Sequence, residues 1–374
     1  MSSLDAYHRF NDDLLLQDTD QNLASHKYPS IVHVLDHPEL REIFIQFDEA
    51  ANQAKRRGRI TGFVAIGLGF VALALAALEY PVVHQTGEHS NIVRVAVAVS
   101  SAMCGIAGVF IGSIGLLFAR RKREWLRRRL MGELTRQFHF QTFACRLPEI
   151  LKSLTDEKSK SNFVTERQTW FETFKAQYLS KVDAAFVEMV TKDDLNMEWL
   201  HNCGREVPKI RESRLLDPLF KAYRELRILH QISYANYKLQ DDRKIFSPMP
   251  GRQAQVFAQV SFIAIVILFA IHGGVLFDVF FPGSIWAGST LISVIIVWIA
   301  LAALAMRALE QGLQPEREFE RYQHYRSALR AVLDRFDRAD SCGDKLRVMQ
   351  DMERLSFDEL RDFLVTNNRS QFVM

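Results

Sequence analysis

Apolar positions along this 374-residue chain gather into four blocks, with stretches dense in Arg, Lys, Glu and Asp between them. The first block runs from Ile60 to Val83 and holds one charge, Glu79, near its far end. The second, Val95 to Ala119, holds none; the third spans Val256 to Leu276 and the fourth Ile285 to Met306. Each reaches about 20 residues, enough to cross about 30 Å of hydrocarbon at about 1.5 Å per residue. A helix buried in a soluble core would interrupt such a run with polar residues every turn. The first block begins near residue 60 without a small-residue cleavage pattern, so it does not read as a secretory leader. The pattern predicts an all-α membrane protein: two transmembrane helical hairpins, four spans in all, with a large cytoplasmic helical domain.

The flanking charges orient these spans. Lys55, Arg56, Arg57 and Arg59 precede the first, and seven basic residues stand between Arg120 and Arg129 after the second, with only Glu124 against them. Arg243, Lys244 and Arg252 precede the third; Arg307, Arg317 and Arg321 follow the fourth. The connections inside the hairpins, HQTGEHSN and FDVFFPGS, contain neither Lys nor Arg. Arg94, just before the second span, is the exception, and its long stem can snorkel to the headgroups. The positive-inside rule then places the N-terminus, the middle segment and the C-terminus in the cytoplasm, and the expected location is a cell inner membrane, multi-pass.

Outside the spans the periodicity is helical. Leu40, Ile43, Phe44 and Phe47 recur at helical spacing over residues 40–58, leading into the first span. Residues 120–153 continue the second span, and 154–165 are polar and read as a loop. Trp170, Phe171, Phe174, Tyr178, Val182, Phe186 and Met189 form an apolar stripe over 166–191, and another helix runs from about Leu215 to Leu239. Pro248 and Pro250 mark a break before the third span. Pro315 opens a helix after the fourth. Ser356 with Glu359 three residues on reads as a capping box that starts a tail helix. The expected divisions are 1–58, an N-terminal cytoplasmic helical segment; 59–119, the first hairpin; 120–255, a cytoplasmic helical domain; 256–306, the second hairpin; and 307–374, C-terminal cytoplasmic helices. Both halves share one layout, a possible parallel repeat.

Composition adds little to this. A formal charge of +3 is near neutral, and Cys104, Cys145, Cys203 and Cys342 fall in no CxxC or paired spacing, so reduced thiols are expected. No P-loop, dinucleotide-binding, zinc-protease or serine-hydrolase motif is present. His33 and His37, or His201 and Cys203, lack the supporting ligands of a metal site. The expectation is therefore a protein that is not an enzyme, with no catalytic, cofactor-binding or metal residues and no cofactor.

Four glycines, Gly105, Gly108, Gly112 and Gly115, share one face of the second span, with Gly108 and Gly112 in GxxxG spacing. Small residues let helix backbones approach closely in lipid. The face could pack on Gly62, Gly67 and Gly69 of the first span or mediate oligomerisation with another subunit. Glu79 and Arg94 stand near the outer span ends, where they could pair. Midplane carboxylates, which a transporter or proton pump needs, are absent from the spans. Ser100, Ser101, Gln259 and Ser293 are candidate pore-lining groups in an oligomer. The basic cluster of Arg120, Arg121, Lys122, Arg123, Arg127, Arg128 and Arg129 suits an anionic lipid surface, at about 1 kcal/mol per residue, or less readily a phosphate-bearing ligand.

The stretches FDEAANQAKRRGRITGFVAIGLGFVALAL, NYKLQDDRKIF, GRQAQVFAQVSFIAIVILFAI and EFERYQHYRSALRAVLDRF resemble those of the bacterial SMODS- and SLOG-associating two-transmembrane (SLATT) effectors, a helical hairpin flanked by Tyr-, Gln-, Arg- and Glu-rich cytoplasmic helices. This chain departs from that pattern in having two hairpins and a long middle segment. The resemblance implies a role in antiphage defence, as an inner-membrane effector that oligomerises and permeabilises or depolarises the membrane once triggered. The alternative is a membrane-anchored scaffold or sensor that recruits a soluble partner to the inner leaflet. The expected partners are anionic membrane lipids, further copies of the chain and a soluble cytoplasmic protein, with no direct contact to nucleic acid.

Overall fold

The computed structural model describes residues 10–85, 90–191, 214–240, 249–280 and 290–369; within its helices, the side chains of 79–85, 90–91, 94, 109, 111–121 and 278–280 lie outside the description. Among the described residues every regular element is helical. The α-helices are α1 (Asp18–Lys27), α2 (Val32–Leu35), α3 (Pro38–Gln85), α4 (Ser90–Cys145), α5 (Leu147–Ser153), α6 (Glu157–Phe174), α7 (Val182–Thr191), α8 (Asp217–Tyr223), α9 (His230–Lys238), α10 (Pro250–Phe280), α11 (Thr290–Leu313), α12 (Pro315–Arg338) and α13 (Cys342–Arg369). Two π-helical turns, Lys175–Leu179 and Arg224–Leu229, follow α6 and α8 without a break.

The chain divides into two compact units. One comprises Met1–Gln53, Glu124–Gln240 and Glu320–Arg369; the other comprises Ala54–Arg123, Asp241–Phe319 and Ser370–Met374. The first, here the helical unit, is organised around the C-terminal part of α4. From Leu134 to Ala144 every residue of that helix is buried, whether apolar or polar. A helix covered on all sides must find partners on all sides. Phe138 meets Phe171 and Phe174 of α6 at ring-centroid distances of 5.3 and 4.8 Å. Phe140 meets Tyr223 of α8 at 6.1 Å, and Tyr223 meets Phe336 of α12 at 6.3 Å. Trp125 packs edge-on against Phe363 of α13 at 5.8 Å. Leu40 and Phe44 of α3 are fully buried in the same core. Arg167 of α6 satisfies the open end of α2, donating to the carbonyls of His33, Val34 and Asp36 at 2.9, 3.0 and 2.8 Å.

The second unit, here the apolar unit, holds the four hydrophobic blocks. Three helices are long and apolar enough to cross a membrane: those carrying the first, third and fourth blocks. The second block qualifies over Val95–Gly108 alone, too short for a crossing, because the side chains from 111 to 121 lie outside the description. Three described candidates therefore stand where four spans are expected. Helices α10 and α11 pack on each other as a hairpin.

Most predicted elements fall where the periodicity puts them. Residues 40–58 and the first block form one continuous helix, α10 begins at Pro250, and Pro315 opens α12. Three expectations need correction. Residues 154–165 are mostly helix, because Asp156 caps α6 by accepting from the Ser159 N–H at 2.8 Å, and Phe163 turns into the core. The tail helix starts at Cys342: the Ser341 hydroxyl accepts from the Asp344 N–H at 3.1 Å, and Ser356 sits buried within the helix. Cys145 is disulfide-bonded, whereas Cys104 and Cys342 are free thiols, so the reduced state expected of all four fails at Cys145. The repeat-like layout also breaks at the span exits. Helix α4 runs on unbroken past residue 119, while α11 ends at Leu313, followed by Gln314 in the left-handed region at φ 39° and by Pro315.

Candidate functional site

The apolar unit carries the feature that most needs a functional explanation. Within the most apolar stretches of its three qualifying helices, 0%, 11% and 6% of residues are buried. Phe269 is 81% exposed and Phe262 67%, and Ile263, Ile265, Leu291 and Leu304 are also exposed. Soluble monomers rarely show contiguous apolar surface on this scale, and a solvent of hydrocarbon removes the penalty.

Within this unit the glycines of the second block meet the first. A Cβ built on Gly108 would lie 3.5 Å from the Gly69 backbone nitrogen and 3.7 Å from Leu68 Cβ; one on Gly105 would lie 3.9 Å from Ala72 Cβ. The Ser101 hydroxyl donates to the Ala72 carbonyl at 2.9 Å across the same seam. Gly105 and Gly108 thus serve close approach inside the chain. Gly112 and Gly115 lie in α4, with their surroundings outside the description. A Cβ built on Gly67 or on Gly69 would meet nothing within 4 Å. The Trp298 indole donates to the Ala74 carbonyl at 3.0 Å, joining α11 to α3. Of the four candidate pore-lining groups, Ser101 is taken up in this seam, and Ser100, Gln259 and Ser293 are exposed in the single chain.

The basic cluster is divided between the two units. Lys122 is buried and Arg123 exposed in the apolar unit; the side chains of Arg120 and Arg121 lie outside the description. In the helical unit Arg127 pairs with Asp183 at 2.7 Å and Arg128 pairs with Glu124. Arg129 reaches Asp48 of α3 at 2.8 Å and Glu133 at 2.5 Å. These three guanidiniums are committed to carboxylates of the same fold. Both hairpin turns, His201, Cys203 and the side chains of Glu79 and Arg94 lie outside the description.

The Arg129 pair belongs to a buried ionic chain that the sequence did not announce. Arg136 meets Glu133 at 3.4 Å and Asp13 at 3.3 Å, and donates to Asn11 Oδ1 at 2.5 Å. His230 meets Asp12 at 3.0 Å. Burial raises the Glu133 pKa, but Arg129 and Arg136 outweigh it and hold the carboxylate ionised. A second network joins Arg227 to Glu353 through two bonds of 3.0 and 2.7 Å, and the Tyr223 hydroxyl donates to Glu353 at 2.7 Å. Arg129 and Asp48 are 81 residues apart and Tyr223 and Glu353 130 apart, so periodicity alone could not pair them. Their only sequence signal was charge placed on the apolar face of a helix.

His33 and His37 are taken up in packing. His33 shares a 2.9 Å bond with Ser153, and burial lowers its pKa to about 4. His37 stacks edge-on against Phe171 at 5.0 Å, and burial together with Arg167 lowers its pKa to about 3. No cluster of three or more His, Cys, Asp or Glu suited to a metal occurs among the described residues. Comparison with protein families, curated proteins and solved structures finds no match to this chain.

Proposed function

We propose that the chain is a multi-pass inner-membrane effector with four crossings, whose helical unit lies in the cytoplasm and whose apolar unit opens or disrupts the bilayer when triggered. The observation that carries this reading is the apolar unit itself: long helices whose outward faces are hydrophobic and largely uncovered. The fourth crossing has indirect support from the helical unit. Segments before the first block, after the second block and after the fourth block pack into one compact unit, which supports placing all three on one side of a bilayer. An even number of crossings must then separate the first two segments. With the first block as one crossing, this reading assigns the second to the block from Val95 to Ala119. Basic flanks put that side in the cytoplasm, and the resemblance to SLATT effectors suggests antiphage defence and non-enzymatic action.

Reconstitution in liposomes loaded with a self-quenched dye tests the idea. Leakage that rises with protein density, and loss of membrane potential on triggered expression in cells, are the expected results. Intact dye retention and potential under both conditions would sink it. A specific observation favours a second reading. Gly105 and Gly108 already pack inside the chain, which removes part of the face expected to join subunits. A scaffold or sensor that holds a soluble partner at the inner leaflet needs no such seam, and it predicts stoichiometric co-purification without leakage.

A further inference from the structure

In the helical unit the segment from Phe10 to Leu15 is seated with Phe10, Asn11, Asp13, Leu14 and Leu15 buried. Its regular structure is a single 3-10 turn, Asp12–Leu14, so side-chain contacts to other elements are what hold it down. At one end the Arg41 guanidinium donates to the Leu15 carbonyl at 2.6 Å. In the middle Arg136 of α4 takes Asn11 and Asp13. At the other end stands His230, the first residue of α9. Its Nδ1 lies 3.0 Å from Asp12 Oδ1 and its Nε2 lies 3.2 Å from the Phe10 carbonyl oxygen, with the Phe10 ring edge-on to the imidazole. A carboxylate and a carbonyl can only accept, and a neutral imidazole carries one N–H. In the neutral form one of these two contacts would set a lone pair against an oxygen. Both contacts are favourable together only in the imidazolium.

We propose that His230 is a proton-controlled latch: its cation clasps Phe10 and Asp12, and loss of the proton releases the segment from Phe10 to Leu14, up to the Arg41 anchor at Leu15. The charges around the ring support this. Asp12 and Asp13 face it from the N-terminal turn and Arg136 from α4. On the helical run that carries it, Arg227 is held by Glu353 and Glu225 by Lys27. Asp13 links the ring to the buried ionic chain, where the carboxylates of Asp12, Asp13, Glu133 and Asp48 meet the guanidiniums of Arg129 and Arg136. Carboxylates outnumber guanidiniums there, and the imidazolium is the cation that narrows the gap. Burial disfavours the charged ring, but Asp13 and Asp12 outweigh burial and Arg136 together and raise its pKa above the ordinary histidine value. The clasp is therefore fully closed below about pH 6.5 and opens as pH rises through the raised value. A short segment with few backbone bonds belongs to the low-stability end of a fold and can open while the rest stays closed. The latch lies wholly within the helical unit and does not depend on how the apolar unit acts.

Hydrogen–deuterium exchange of the full-length protein in detergent tests this, followed from about pH 6 to about pH 9 and corrected for the base-catalysed intrinsic rate. Amides of the segment from Phe10 to Leu15 should lose about tenfold in protection across that range, while those of α6 keep theirs. His230→Gln, which has no proton to lose, should show the weakly protected segment at every pH. Asp12→Asn keeps the imidazole and removes a carboxylate whose side chain is about half exposed, so the fold survives and the midpoint of the loss should move to lower pH. Protection of the segment that stays flat with pH overturns the proposal. A loss shared in step by α6 does so too, because it reports global unfolding. An unmoved midpoint in Asp12→Asn also overturns it, and that variant decides the matter even where His230→Gln does not fold.

Discussion

At the scale of single residues, the energetics of the helical unit are set by charges taken out of water. Arg227 and Glu353 are 2% and 0% exposed, and each satisfies the other through two bonds. Arg227→Met leaves the Glu353 carboxylate buried without its counter-ion and should destabilise by about 3–5 kcal/mol in chemical denaturation. Arg227→Met combined with Glu353→Leu should recover most of that loss, because an apolar pair of similar volume has no charge to desolvate. Equal destabilisation of the single and double variants would contradict this account. The buried histidines give a pH dependence of definite sign. Burial, then Arg167, keep His37 neutral to about pH 3, whereas an unfolded chain protonates histidine near about 6.5. Between those values the unfolded state binds the extra proton, so stability present above about pH 6.5 is lost as pH falls. His33 acts in the same direction. His230 acts oppositely: burial lowers its pKa, but Asp13 and Asp12 more than offset this, so its contribution is present below about pH 6.5 and is lost as pH rises through the raised value. Denaturation at about pH 7 and about pH 5 should show a net fall in unfolding free energy on acidification. His37→Gln should make the fall shallower by up to about 1.4 kcal/mol per pH unit. An unchanged slope would remove His37 as its source.

At the scale of elements, helix existence was legible wherever a proline or a long apolar period marked it, as at Pro250, Pro315 and the stripe from Trp170 to Met189. The misreadings have local causes. The stretch 154–165 is polar in composition, yet its Asp156 cap and the inward Phe163 and Arg167 make it helical. The tail contains two Ser-x-x-acid patterns, Ser341 to Asp344 and Ser356 to Glu359. Only the first caps a helix; the second is interior, with Ser356 buried and Glu359 paired to Arg321. Ser341→Ala should therefore cost about 1 kcal/mol of stability, measurable by denaturant midpoint. Ser356→Ala should not lose a cap, and fraying of α13 in that variant would reverse the assignment. Two glycines of the apolar unit make a second contrast. A Cβ at Gly251 would stand 2.9 Å from the Phe319 ring, so Gly251→Ala must displace that ring and should destabilise by about 1–3 kcal/mol. At Gly108 the nearest atom is 3.5 Å away, an ordinary contact. Gly108→Ala should therefore melt close to the parent in detergent while Gly108→Leu, which must part the two helices, melts lower. The glycine face was readable from spacing, but which neighbour it meets required the fold.

At the scale of the whole molecule, the blocks of hydrophobicity were plain in the sequence, and the gathering of three separate segments into one unit was not. That gathering depends on pairs such as Arg129 with Asp48 and Arg224 with Asp337, the latter at 2.7 Å, which join parts of the chain on opposite sides of a hydrophobic block. Its consequence is a parity argument. If three blocks crossed the bilayer, the two termini would lie on opposite sides, and the helical unit would have to be divided by lipid. If four cross, both termini and the middle segment share one side, which the proposed reading of the flanking charges takes as the cytoplasm. Reporter fusions separate the two cases. Green fluorescent protein, which does not become fluorescent when threaded unfolded across the membrane, should fluoresce when joined to either terminus. Alkaline phosphatase placed within the turn between the first two blocks should be active. Fluorescence at one terminus alone would establish an odd number of crossings and would require the helical unit to assemble differently in the membrane. Weakening the unit by Arg129→Met, which takes the arginine from Asp48 and leaves Glu133 with Arg136 alone, should leave the reporters unchanged, because flank charges set orientation during insertion, before the unit folds. A variant that lost fluorescence at the C-terminus would instead make tertiary pairing part of how the chain selects its topology.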